Sequence, residues 1–133
     1  PGGDPGLEHT QNIILAADAT GLPAIARLIE SVEGRVTGHL FAAAPDKASL
    51  EAYLPASSLR ITAIPKDDFA AKVPDLIAAC TNDPVSYGWF AGEFKAAQRV
   101  RDIFKAKYQL DKSTQLSVAY WREDVPGHQS RVL

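Results

Sequence analysis

The stretch Tyr87-Gly88-Trp89-Phe90-Ala91-Gly92-Glu93 decides the fold. Its apolar and small residues run without polar relief into Gly92, and a long helical pattern opens at Glu93. A strand with no polar alternation has both faces covered, which is the habit of parallel sheets packed between helices. Glycine at the carboxyl end of a strand lets a ligand or another backbone come close. In open α/β sheets that edge binds ligands, in the crevice where the strand order reverses. Ala91, Gly92 and Glu93 are therefore expected at the mouth of such a crevice.

The rest of the chain repeats this unit in both directions. Residues 12–17 (Asn-Ile-Ile-Leu-Ala-Ala) form a short buried strand, and Asp18-Ala19-Thr20-Gly21 turns it into a helix. Thr20 is the expected N-cap, Pro23 fits the first turn and Gly34 stops the helix. Leu22, Ile25, Leu28, Ile29 and Val32 recur at helical spacing and give one core-facing stripe. A second strand is expected over 36–43, a short helix over 46–53 and a third strand over 59–64, closed by Pro65. Residues 66–79 carry Phe69, Val73, Leu76 and Ile77 at helical spacing, with Pro74 as a kink. The fourth strand spans 87–91, and a helix over 93–108 places Phe94, Ala97, Val100, Ile103 and Phe104 on one side. A fifth strand spans 114–121, and a polar tail follows. Five alternations predict an α/β fold: a three-layer α/β/α sandwich around a five-stranded parallel sheet with right-handed crossovers, in strand order 3-2-1-4-5.

Composition narrows the function. A chain of 133 residues is one domain, or half of a two-domain protein. Its formal net charge of −2 calls for neither nucleic acid nor an anionic membrane surface. The single Cys80 rules out an intrachain disulfide and reads as a small buried hydrophobe. There is no signal-peptide pattern and no apolar run long enough to span a bilayer, so a cytoplasmic protein is expected. Met is absent, initiator included, as in a piece that starts within a longer protein. His9, His39 and His128 are scattered, which gives no metal-ligand spacing. Neither a G-x-S-x-G elbow nor a Cys–His pattern is present, so hydrolase readings are poor. The first loop also lacks the glycines of a methyltransferase.

Three places carry candidate chemistry. Amides at the start of the first helix make a phosphate site, with Thr20 adding a hydroxyl and Gly21 letting a pyrophosphate approach. An ordinary capped helix start is the alternative, since G-x-G-x-x-G is missing and the Asp18 carboxylate repels an anion unless it points away. Glu93 is either a polar group facing a reactive ring or an acidic first-turn residue favoured by the helix dipole. Tyr120-Trp121-Arg122 closes the last strand on the edge of Gly92, where an aromatic pair could stack on a flat ring and a guanidinium could hold an acid group. The bland reading packs at least one ring in the core. Lys95, Arg99, Arg101, Lys105 and Lys107 read mostly as a solvated helix face.

These motifs together resemble the C-terminal, nicotinamide-nucleotide-binding domain of the siderophore-interacting proteins, flavin-dependent ferric-siderophore reductases related to ferredoxin–NADP reductase. Ile14-Leu15-Ala16-Ala17-Asp18-Ala19-Thr20-Gly21-Leu22-Pro23-Ala24-Ile25 is similar to the family's "LLAGDETALPAI". Trp89-Phe90-Ala91-Gly92-Glu93 is similar to "WVAGE", Ala119-Tyr120-Trp121-Arg122 to "GYWR" and Pro1-Gly2-Gly3 to the interdomain "GPGG". The resemblance implies a linker stub over 1–11 and one NAD(P)H-binding domain over 12–133. It implies that NAD(P)H lies near Asp18, Thr20, Gly21, Gly92, Glu93 and Trp121, and passes a hydride to FAD held by a preceding barrel domain. Ala91 matches the position where plant-type relatives carry a cysteine beside the nicotinamide. Arg122 carries over as a contact for the anionic ferric siderophore, whose iron is released on reduction. NAD and NADP both stay open, since Asp46 could bind a ribose hydroxyl and Lys47 could favour a 2′-phosphate. Ala17 and Ala19 stand where the family pattern has glycine and glutamate, and the flavin barrel is not in this sequence. The rival is a non-catalytic sensor or binding module of the same fold within a regulatory protein, and a ligand-free scaffold is a third reading.

Overall fold

The computed structural model describes residues 11–121 and the backbone of 130–131. Two strands with almost no exposed residue form its centre. β1 (Gln11–Ala17) is buried over its last five residues, and β4 (Tyr87–Glu93) over all but Tyr87. Continuous burial on both faces is what their unbroken apolar runs require. β1 pairs in parallel with β4 on one side and with β2 (Val36–Ala43) on the other. β3 (Ser58–Ile64) flanks β2, and β5 (Gln115–Trp121) flanks β4. The five parallel strands thus stand in the expected order 3-2-1-4-5. A sixth, β6 (Ser130–Arg131), pairs antiparallel with Val118 and Ala119, inside what reads in the sequence as a polar tail.

Strand alternation splits the core into two layers. Ile14 and Ala16 face one side, with Phe69, Val73 and Ile77 of α3 (Lys66–Ala79) and Ala97, Val100 and Phe104 of α4 (Phe94–Ala106). Ile13, Leu15 and Ala17 face the other, with Ile25 and Ile29 of α1 (Leu22–Ser31) and Leu50 of α2 (Lys47–Tyr53). Pro74 lies buried inside α3, which continues through it to Ala79. Gly34 ends α1 in the left-handed region at φ 71°, donating its N–H to the Ile29 carbonyl at 2.9 Å. A Cβ at Gly34 would lie 2.3 Å from the Ala56 carbonyl oxygen, so only glycine fits that stop.

The chain leaves β3 at one edge, crosses through α3 and re-enters the sheet on the far side of β1. The strand order therefore reverses between β1 and β4, which locates the ligand-binding edge of such sheets at their carboxyl ends. No helix among the described residues is long and apolar enough to cross a membrane.

Candidate functional site

The first and fourth strand-to-helix junctions lie side by side. Ala17 pairs with Ala91 across the sheet, and Asp18 N donates to the Ala91 carbonyl at 3.3 Å. The spatial expectation drawn from the sequence holds. Of the two readings of the first loop, the capped helix start is the one its hydrogen bonds show.

Asp18, rather than Thr20, caps the first turn. Its backbone is extended (φ −76°, ψ −176°), and its Oδ1 accepts from Thr20 N at 3.0 Å. The Thr20 hydroxyl bonds the same carboxylate oxygen. Gly21 N donates to the Asp18 carbonyl at 3.0 Å, closing a single 3-10 turn, Ala19–Gly21, ahead of α1. The amides of Thr20 and Gly21 are therefore both occupied, and a carboxylate stands where the phosphate was expected. An anion there would face Asp18 directly.

Gly21 is glycine for a packing reason. A Cβ added to it would lie 2.8 Å from the Ala17 Cβ and 2.9 Å from the Ala91 Cβ. The Cβ side of Gly21 is filled by the inner strands' own side chains. Gly92 is likewise covered, with the Phe90 ring 3.0 Å and Asp18 Oδ2 3.5 Å from its would-be Cβ. Ala91 is fully buried. Glu93 turns inward as the cap of α4: Oε2 accepts from Lys95 N at 2.8 Å and Oε1 from Ala96 N at 3.0 Å. Of its two sequence readings, the structure shows the helix-start role, a carboxylate satisfying orphan amides at the positive end of the dipole.

Open space begins beside this sealed junction. A cleft of about 710 Å³ runs from Asp18 and Thr20 across the end of β2, at Ala43, Ala44 and Pro45, to the start of α3. Pro65, Lys66 and Asp67 supply that far wall, and Trp121 lines the near one. Trp121 reaches it because its Nε1–H donates to Asp18 Oδ2 at 2.7 Å, tying the end of β5 to the first turn across β4. The neighbouring aromatic does not share the cleft, because successive strand residues face opposite ways and Tyr120 packs against the α1–α2 layer. A hollow of about 680 Å³ also lies at the opposite edge, between residues 82–86 and 107–111, away from the end where parallel sheets bind ligands.

Of the sequence candidates, the cleft gathers Asp18, Thr20 and Trp121, and leaves Gly21, Ala91, Gly92 and Glu93 in the packed floor and caps beside it. Arg122 lies outside the described residues, as do His9, His128 and residues 1–10 of the linker stub. Asp46 caps α2 with its Oδ1, which accepts from Ser49 N and Oγ at 2.8 Å each. Those bonds hold the Asp46 carboxyl below its usual range. The basic residues of α4 stay outside as well: Arg99 pairs with Asp75 at 2.9 Å and Arg101 with Asp102 at 2.8 Å. Sequence reasoning missed Lys66 and the prolines at 45 and 65. Their signal was position, directly after strands whose carboxyl ends share the edge of β1.

Comparison with known proteins agrees with this architecture. A family model described as siderophore-interacting protein matches residues 10–124. The siderophore-interacting protein SipS from Aeromonas hydrophila superposes with a TM-score of 0.71 at 20% identity, over 90% of this chain and 49% of that one. The siderophore-interacting protein from Acinetobacter baumannii gives 0.69 at 22% identity, over 94% and 51%. A siderophore utilization protein from T. fusca gives 0.70 at 27% identity, over 90% and 48%. The chain thus spans about half the length of these solved structures. No curated protein matches the sequence.

Proposed function

Because this chain belongs to the siderophore-interacting protein family, we propose that it is the pyridine-nucleotide-binding half of a flavin-dependent ferric-siderophore reductase acting in the cytoplasm. The observation that carries the reading is the cleft of about 710 Å³ at the carboxyl edge, beside the strand-order switch and lined by Trp121. Its size is that of small-molecule and cofactor sites, roughly 300–1,000 Å³. Its residues fit a dinucleotide in one particular way. An aromatic wall at Trp121 suits a flat ring, and the Lys66 ammonium suits a phosphate, while the Thr20 and Gly21 amides are already taken.

In this reading bound NAD(P)H supplies the hydride whose electrons reach Fe(III) of the siderophore by way of FAD, held by a barrel domain. The chain's own residues bind and orient. Trp121 walls the ring, Asp18 fixes Trp121, Lys66 meets negative charge at the rim, and the Gly21–Ala91 contact keeps the floor dry. Arg122 meets the acid groups of the ferric siderophore, so Arg122→Ala raises KM for that substrate in the two-domain protein. An unchanged KM returns Arg122 to the solvated surface.

The sensor reading keeps one observation in its favour, the occupied amides of Thr20 and Gly21. Calorimetric titration of the chain with NADH and NADPH separates a nucleotide site from a ligand-free scaffold. Joining the chain to a flavin barrel then separates enzyme from sensor: the enzyme oxidises NAD(P)H in the presence of ferric siderophore, and a sensor binds without turnover.

A further inference from the structure

Lys66, the ammonium that suits a phosphate, shares the cleft with carboxylates. Among the described residues of its lining, Asp18 and Asp67 contribute two carboxylates and Lys66 one ammonium, which leaves one negative charge in excess. The Asp18 carboxylate accepts from Thr20 N, the Thr20 hydroxyl and Trp121 Nε1, and no positive side chain pairs with it among the described residues. The Trp121 indole spends its only donor on that carboxylate, so what it offers the cleft is ring. An indole beside a carboxylate that has no charged partner among the described residues attracts a flat cation, because the negative ring face and the formal charge act in the same direction.

We propose that Asp18, by holding Trp121 and by its own charge, makes this cleft selective for a cationic aromatic ring, so that it takes the oxidised, pyridinium form of a nicotinamide in preference to the neutral form. This rests on the nucleotide reading for its choice of ring. It goes further in naming the ring's charge state as the thing selected and Asp18 as the residue that selects it. Asp18 acts here as a positioning residue for Trp121 and as the source of the field.

Two small probes isolate the ring from the phosphates: 1-methylnicotinamide, whose ring is a cation, and nicotinamide, whose ring is neutral. ¹⁵N–¹H spectra of the chain report binding at the Trp121 indole N–H, identified by its disappearance in Trp121→Phe. The expected result is that 1-methylnicotinamide moves this resonance with about tenfold tighter binding than nicotinamide, the scale of one partly screened charge pair. Asp18→Asn keeps an acceptor for Thr20 N, removes the charge, and collapses the ratio toward one. Equal binding of the two probes, no shift at Trp121 with either, or a ratio that survives in Asp18→Asn overturns the proposal. Should Asp18→Asn fail to fold, the native ratio decides at raised salt, where it is expected to shrink; a salt-independent ratio contradicts it. Failure to bind NADH or NADPH with the probe ratio intact sinks the reductase reading and leaves the ring selectivity standing, and the converse separates them equally well.

Discussion

The carboxyl edge of the sheet has two halves, built from the same strand-to-helix junctions and put to different use. Over β1 and β4 the edge is sealed: Asp18 and Glu93 cap their own helices, and Gly21 and Gly92 are covered by Ala17, Ala91 and Phe90. Over β2 and β3 it is open, with Pro45, Pro65 and Lys66 around a cleft that Trp121 completes from the far side. Glycine and a helix N-terminus are what a phosphate site needs, yet both also serve a chain that packs tightly against itself. Which use prevails depends on whether a neighbouring side chain reaches the space first.

The sharpest way to break this contrast is to crowd the sealed half. Gly21→Val puts a Cβ 2.8 and 2.9 Å from the Cβ atoms of buried Ala17 and Ala91, with two methyls beyond it. Overpacking of this kind costs about 1–3 kcal/mol or more, read as a lower urea midpoint. The loss is expected in folding, with nucleotide affinity of the folded fraction little changed. A folded, fully stable variant that binds nucleotide poorly would restore Gly21 to the ligand site. Glu93→Ala comes next, since it strips two amides of their acceptor. A lost cap costs about 0.5–2 kcal/mol, and Glu93→Gln, which keeps an acceptor, costs less. Trp121→Phe gives up the part-buried bond to the Asp18 carboxylate, worth about 1.5 kcal/mol, and keeps an apolar wall. Thermal melts of the three variants rank them directly.

Two smaller effects sharpen the open half. Lys66→Ala removes an exposed ammonium, so stability is expected to stay within about 0.5 kcal/mol while NADPH binding weakens. A calorimetric affinity equal to the native one would remove Lys66 from the site. His39, stacked on Phe41 of β2, has its pKa lowered by burial and then by Arg60. The unfolded chain therefore binds the proton more readily, so stability falls as pH drops below the unfolded value near 6.5 and levels off below the folded one. His39→Gln should flatten that part of the pH profile, and an unaltered slope would assign it to other groups.

The sheet was legible because its information is local. Runs such as Ile13 to Ala17 and Gly88 to Gly92 announce buried strands, and the periodic Ile25–Ile29 and Val100–Phe104 pairs announce the covering helices. β6 was not legible, because two residues carry no period and its existence is decided by pairing with β5. The cap at Asp18 was hidden by ambiguity: Asp18 and Thr20 are both good caps, and only the extended backbone at Asp18 chooses between them. The roles of Gly21 and Trp121 lay further out of reach. One depends on Ala91, 70 residues away in the chain, and the other on Asp18, 103 residues away. Neither distance leaves a trace in spacing.

The most direct test is an NMR titration of the chain with NADPH, read at the backbone amides and at the Trp121 indole. Shifts concentrated at Trp121 and at the amides of Ala43, Ala44, Lys66 and Asp67 are expected if the open half holds the nucleotide. Shifts centred on Gly21 and residues 93–96 with those groups unmoved, or no shift anywhere, would contradict it.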